Sequence, residues 1–138
     1  MGDIRTLSAA VTVVVSVTLL VLSALRAAER LRPRYFSLVV FVPATHAASV
    51  RAALAASGAG RAGAYDSCSF SSVGVGRFRP LEGARPFIGS RGTVEEVSEE
   101  RLETEVDERV LGDVVRAVRD AHPYEAPAIH VTGPLLML

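Results

Sequence analysis

From Leu7 to Leu25 the chain reads Leu-Ser-Ala-Ala-Val-Thr-Val-Val-Val-Ser-Val-Thr-Leu-Leu-Val-Leu-Ser-Ala-Leu, without one charged residue. About twenty such residues are what a helix needs to cross the hydrocarbon core of a bilayer. The serines and threonines are no obstacle, because their hydroxyls can bond back to helix carbonyls. This run divides the chain in two: a hydrophobic, transmembrane helix with a basic linker over 1–35, and one globular domain over 36–138. Arg26, Arg30, Arg32 and Arg34 follow the run, against Asp3 and Arg5 before it. The positive-inside bias therefore predicts a single-pass membrane protein with its C-terminal domain in the cytoplasm. A cleaved signal peptide fits less well, since the charged start is weak and the apolar stretch exceeds the usual ~7–15 residues. A targeting segment, or upstream sequence read from a misplaced start at Met1, would leave the domain organellar or cytoplasmic instead.

Net charge is zero and the isoelectric point is near neutral, which gives no electrostatic case for nucleic acid. All fifteen fixed positive charges are arginine, a residue suited to anion recognition. The lone Cys68 excludes an intramolecular disulfide and a Cys-paired zinc site.

In the globular part, Phe36-Ser-Leu-Val-Val-Phe-Val is a continuous apolar run ended by Pro43, and it predicts a central strand buried on both faces. Thr45 suits an N-cap for a helix over His46–Ser57, carrying Val50, Ala53 and Leu54 at helical spacing and stopped by Gly58 and Gly60. Tyr65 to Phe70 alternates like a strand, with Phe70 and Val73 available for a core. The Gly74-Val75-Gly76 triplet predicts a break, followed by an extended Arg77-Phe78-Arg79 stopped by Pro80. From Leu102 to Val106 the apolar period is two, which puts the glutamates of a strand over about Arg101–Val106 on a solvated face. A second helix opens at Asp107 or Glu108 with the stripe Val110, Leu111, Val114, Val115 and Val118, and His122-Pro123 ends it. Ala128 to Thr132 supplies a last strand.

The order strand, helix, strand, strand, helix, strand is the split βαβ pattern of an α+β, ferredoxin-like sandwich, βαββαβ with an antiparallel sheet. Both helices then cover one sheet face. Self-association is the simplest cover for the other in a domain of about 100 residues.

Four stretches carry a resemblance: Phe-Val-Pro at 41–43, Ala-Gly-Arg-Ala-Gly-Ala-Tyr-Asp-Ser-Cys-Ser-Phe at 59–70, Gly-Arg-Phe-Arg-Pro-Leu-Glu-Gly-Ala-Arg-Pro-Phe-Ile-Gly at 76–89, and Ala-His-Pro-Tyr-Glu at 121–125. In this order they resemble the YqfO-type domain, the CutA-like and PII-like module of the NGG-one-interacting-factor-three family, in its stand-alone form. The resemblance covers about 36–133 and leaves out the first 35 residues. It implies a ferredoxin-like fold related to trimeric CutA and PII regulators, and neither an established reaction nor a known ligand. The dinuclear metal centre of the larger relatives lies in flanking domains. The family motif tends to continue with a second glutamate, where this chain has Ala126 after Glu125.

The chemistry-bearing residues are few. Arg77, Arg79, Arg85 and Arg91, interleaved with glycines, can cradle a small anionic molecule through guanidinium forks and main-chain N–H groups. Turns and solvated ion pairs with Glu95 to Glu105 explain the same pattern structurally. Glu82, His122, Tyr124 and Glu125 complete the candidate ligand site, and Phe78 and Phe87 are candidates for an oligomer interface. Cys68 with His122 suggests a nucleophile and base, yet no orienting third group is legible. His46, His122, His130, Asp66 and Glu125 match no compact metal signature. The sequence thus reads as a non-enzymatic, oligomeric (trimeric), membrane-tethered regulatory or interaction domain, with no cofactor and an anionic ligand at subunit junctions. The alternative is a divalent-metal-binding or metal-tolerance protein, or a metal-dependent hydrolase by family association, using Cys68, His122 and Glu125.

Overall fold

The computed structural model describes residues 4–31 and 33–135 and divides into two units, 1–33 and 34–138. Asp3, Arg32 and Met1, used in the charge and start-site readings, lie outside the described residues.

The first unit is one helix, α1 (Ile4–Leu31). Its stretch Val11–Ala28 is exposed throughout and is long and apolar enough to cross a membrane, a test that a signal sequence also passes. The Thr18 hydroxyl donates to the Val14 carbonyl and the Ser23 hydroxyl to that of Leu20, both at 2.8 Å. These two hydroxyls are therefore satisfied within the helix, as expected.

The second unit runs β1 (Tyr35–Pro43), a 3-10 turn (Ala44–His46), α2 (Ala47–Ala56), β2 (Phe70–Phe78), β3 (Glu95–Asp107), α3 (Leu111–Ala121) and β4 (Ile129–Leu135). The strands form one antiparallel sheet in the order β2-β3-β1-β4. This is the ferredoxin-like α+β arrangement that the periodicities imply. Leu38, Val40 and Val42 of β1 and Leu102 and Val106 of β3 share one face, opposite Val50 and Leu54 of α2 and Val114 and Val118 of α3; all are at most 3% exposed. Among the described residues this core draws on nothing before β1.

Several boundaries differ from the sequence reading. Thr45 is not an N-cap: Pro43, at φ −52°, opens a 3-10 turn, and α2 starts only at Ala47 with His46 in the cap position. The Thr45 hydroxyl instead meets His46 Nδ1 at 2.9 Å. α2 does stop at the glycine: Gly58, at φ +98°, lets its own N–H and that of Ala59 reach back to the carbonyls of Ala55 and Leu54. Tyr65 to Ser69 is loop rather than strand. Its base is Gly60, whose N–H donates to the Glu105 carbonyl and whose carbonyl accepts the Cys68 N–H. At φ +70°, a Cβ on Gly60 would collide with the Cys68 backbone, so this close approach requires glycine.

β2 runs unbroken through Gly74 and Gly76, because its whole length pairs with β3, from Phe70 opposite Glu103 to Phe78 opposite Glu95. A full ladder outweighs the poor strand propensity of two glycines. Phe70 and Val73 are not in the core. They are 66% and 78% exposed, since β2 lies at the sheet edge. β3 is twice as long as expected, and Glu99 breaks the solvated pattern of its glutamates at 8% exposure. α3 opens at Leu111, because Asp107 Oδ1 accepts the Arg109 N–H at 2.9 Å in a turn ahead of it. β4 extends to Leu135 through Gly133 and Pro134, which an edge position tolerates.

Candidate functional site

Pairing in register places Phe41 of β1, Glu99 of β3 and Phe78 and Gly76 of β2 on the sheet face turned away from the helices. Two connections meet there. One is the 79–94 excursion between β2 and β3; the other is the 122–128 exit from α3. Its Gly92 N–H, donating to the Pro80 carbonyl at 2.8 Å, closes the excursion. The Arg85 N–H joins it to the exit by donating to Glu125 Oε1 at 3.0 Å. The Phe87 ring stands edge-on to His46, with centroids 5.1 Å apart, and is tilted on Tyr124 at 6.5 Å. Phe78 also meets Tyr124 edge-on, at 5.6 Å.

Together these groups wall a cleft of about 300 Å³. Its sides are the Phe41, Phe78, Phe87 and Tyr124 rings with Pro80 and Pro86, and Arg77, Arg79, Glu99 and Glu125 are its charged members. The volume is at the low end of small-molecule sites, and the apolar walls with a few polar groups are typical of them.

Behind the cleft, His122 is buried and uses both ring nitrogens. Nδ1 accepts the Tyr124 N–H at 3.0 Å, so Nε2 carries the proton and donates to the Phe41 carbonyl at 2.9 Å. This is a neutral imidazole tying the α3 exit to β1. Burial, more than the bond to Phe41 and the nearby Glu99 offset it, pushes its pKa below 6.5. In the unfolded chain the ring protonates near 6.5, so the contribution of neutral His122 is complete above that pH and is lost as pH falls below it. We expect the melting temperature to drop as pH is lowered from 7 to 5, and the slope to flatten in His122→Gln. An equal slope in both proteins would remove His122 as the cause. Tyr124 is also held neutral: burial first, then the hydrogen bond from its hydroxyl to Glu99 Oε1 (3.0 Å), raises its pKa well above the ordinary phenol.

The structure thus brings Arg77, Arg79, Phe78, Phe87, Tyr124 and Glu125 to one cleft. Arg77 is paired with Glu96 at 2.7 Å on the surface, while Arg79 has no ion pair among the described residues. Arg85 contributes through its main chain, and Glu82 sits exposed in the Leu81–Ala84 turn outside the cleft lining. Arg91 is spent on the loop, its Nε donating to the Ala84 carbonyl. Cys68 and Asp66 lie in the exposed 61–70 segment, and His130 stands edge-on to Phe41 on the open face. Cys68, His122 and Glu125 are not gathered: among the described residues no three His, Cys, Asp or Glu are placed to hold a metal. Sequence reasoning missed Glu99 and Phe41. Glu99 is one of six glutamates between 95 and 105, and only its register against Gly74 and its reach to Tyr124 set it apart.

No protein-family model matches the chain. It is 50% identical over 93 residues to a protein of Halalkalibacterium halodurans named GTP cyclohydrolase 1 type 2 homolog, a match covering 67% of this chain and 25% of that one. A Bacillus subtilis protein of the same name is 46% identical over 107 residues, covering 75% and 29%. The chain therefore spans about a quarter of the length of the curated relatives it matches. Among solved structures, a Bacillus cereus protein related to NIF3 superposes with a TM-score of 0.63 at 42% identity, over 72% of this chain and 26% of that one. CutA of Xylella fastidiosa shares the fold at a TM-score of 0.56 and 14% identity, over 76% of this chain and 88% of its own. The globular unit is a YqfO-type domain with a CutA/PII-like, ferredoxin-like fold.

Proposed function

We propose that this domain is a non-enzymatic, self-assembling regulatory or interaction module that binds a small anionic ligand in the Phe78–Tyr124 cleft and is tethered to a membrane by α1. The observation that carries the reading is the cleft itself: aromatic walls and, at the rim, an arginine without an ion pair among the described residues. Assembly is supported by the apolar surface at the β2 edge. Val73 and Val75 point to the helix side of the sheet but are 78% and 56% exposed, and Phe70 on the other side is 66% exposed. Apolar patches of this kind mark interaction sites. A second copy, in a trimer of the CutA type, would cover them with the exposed Phe87, and would set the cleft near a subunit junction. Phe78 serves the cleft wall first, since its ring is half-buried against Tyr124.

The competing reading, a metal-tolerance protein or metal-dependent hydrolase, draws on the names of relatives. The matched quarter of those relatives is this domain, so an activity housed elsewhere in them does not pass to it by similarity.

Tethering is supported by the length of α1. At about 1.5 Å per residue, its 28 residues exceed the ~30 Å of a bilayer core. In this reading the arginines after it hold the domain on the cytoplasmic side; if the segment is instead a targeting peptide, the mature domain is released. The full chain is expected to sediment with membranes and to stay there through alkaline carbonate extraction. Its quantitative release into the supernatant would contradict tethering. Assembly is tested by the solution mass of the isolated domain.

A further inference from the structure

The cleft wall that Tyr124 provides hangs on an imidazole. Residues 122–128 carry neither helix nor strand, and Pro123 and Pro127 have no N–H to donate. The segment is therefore held by scattered contacts instead of a ladder. At its far end the Phe41 N–H donates to the Ala128 carbonyl at 3.2 Å, and in its middle Glu125 accepts the Arg85 N–H. Tyr124 is fixed by its hydroxyl on Glu99 and by its N–H on His122 Nδ1, at 3.0 Å each. It in turn backs the rings of Phe78 and Phe87, at 5.6 and 6.5 Å. His122 joins all this to β1 through Nε2 and the Phe41 carbonyl.

That arrangement works for one protonation state only. A neutral imidazole offers a donor and an acceptor, whereas an imidazolium has two donors and no acceptor. On protonation Nε2–H keeps the Phe41 carbonyl, in a bond that positive charge strengthens. Nδ1–H then faces the Tyr124 N–H, donor against donor. The two sides do not yield equally. β1 is paired along both edges, with β3 and β4, while the exit has no ladder to hold it. Two titratable groups act on the ring: Glu99 of β3 favours its charge, and His46 of the 3-10 turn opposes it. Burial opposes the charge most, so the ring is neutral at pH 7 and gains its proton below 6.5.

We infer that the cleft is gated by pH: neutral His122 holds Tyr124 in place as its wall, and a proton on Nδ1 releases Tyr124 and opens the wall while the core stays folded. The inference rests on this cleft being the ligand site and adds release of the ligand by acid.

The test is a nuclear magnetic resonance titration of the detergent-solubilised full chain from about pH 7.5 to 5. The Tyr124 amide and the Phe78 and Phe87 ring signals are expected to shift together with the His122 ring nitrogens, at one midpoint below 6.5. The amides of Leu102 and Val118, in the core, are expected to stay in place. His122→Gln, which takes up no proton, is expected to lose the step at Tyr124. A His122 that titrates while the wall signals stay still overturns the gate. So does a His122 that remains neutral down to pH 5, or a loss of the core signals at the same midpoint. Should His122→Gln lose its melting transition, the titration of the unsubstituted chain decides alone. Because no ligand is used, failure of the gate leaves the anionic-ligand reading standing. That reading falls separately if Arg79→Ala leaves binding of naphthalene-1-sulfonate, an aromatic anion, unchanged at pH 7.

Discussion

Replacing Leu102 with alanine is expected to lower the unfolding free energy of the domain by about 2–5 kcal/mol, the range for a leucine removed from a close-packed site. Leu102 is fully buried on β3, opposite Val40 of the neighbouring central strand, and lies in the cluster formed with α2 and α3. The cost has two parts: lost transfer of the side chain from water, and a cavity that flanking strands cannot collapse around. A domain of this size has about 5–15 kcal/mol in total, so one substitution removes a large share. By contrast, the exposed Arg116–Asp113 pair on α3, at 71% and 68% exposure, should be worth less than about 1 kcal/mol. Urea unfolding that shows a lower midpoint at unchanged slope for Leu102→Ala, and next to no change for Arg116→Ala, is the expected pattern. Equal effects would mean that the core is not where stability resides.

Leu102 also shows what was legible in the sequence. The acidic stretch from Glu95 to Asp107 has enough glutamates for a solvated helix, and only the period of two from Leu102 onward identifies a strand. The periodicity ends where burial ends. Before Glu99 the strand pairs with the edge strand β2, beyond the helices, so Val97 and Val94 obey no core and the sequence pattern fades. The same edge position explains the failure at Gly74 and Gly76. Two glycines in a strand look like a break unless the partner that holds them, and the carboxylate resting over one of them, are known. His122 was legible as a helix end, but not as the ring that fastens Tyr124 to Phe41, a residue 81 positions before His122 in the sequence. Phe78, Phe87, Tyr124 and the arginines of the candidate cleft could be read from their motifs, but Phe41 reads only as part of a buried strand. Glu99 could not, because its difference from the neighbouring glutamates exists only in three dimensions.

The second large effect concerns assembly. A domain with Phe70, Val73 and Val75 exposed along one sheet edge leaves apolar surface in water that a second copy can bury. Burial of apolar area stabilises by roughly 25 cal/mol per Å² before the costs of association, and a stable interface removes about 1,200–2,000 Å² in total. The β2 side chains alone are too few for that, so the open face of β3 and the exposed Phe87 have to take part. The four-stranded sheet and its two helices close their core without α1, and the domain over 34–138 is expected to fold by itself. The deciding measurement is the mass of that isolated domain by light scattering at tens of micromolar concentration. Three times the chain mass, held on dilution, is the predicted result. A single chain mass at every concentration would contradict the self-assembling module.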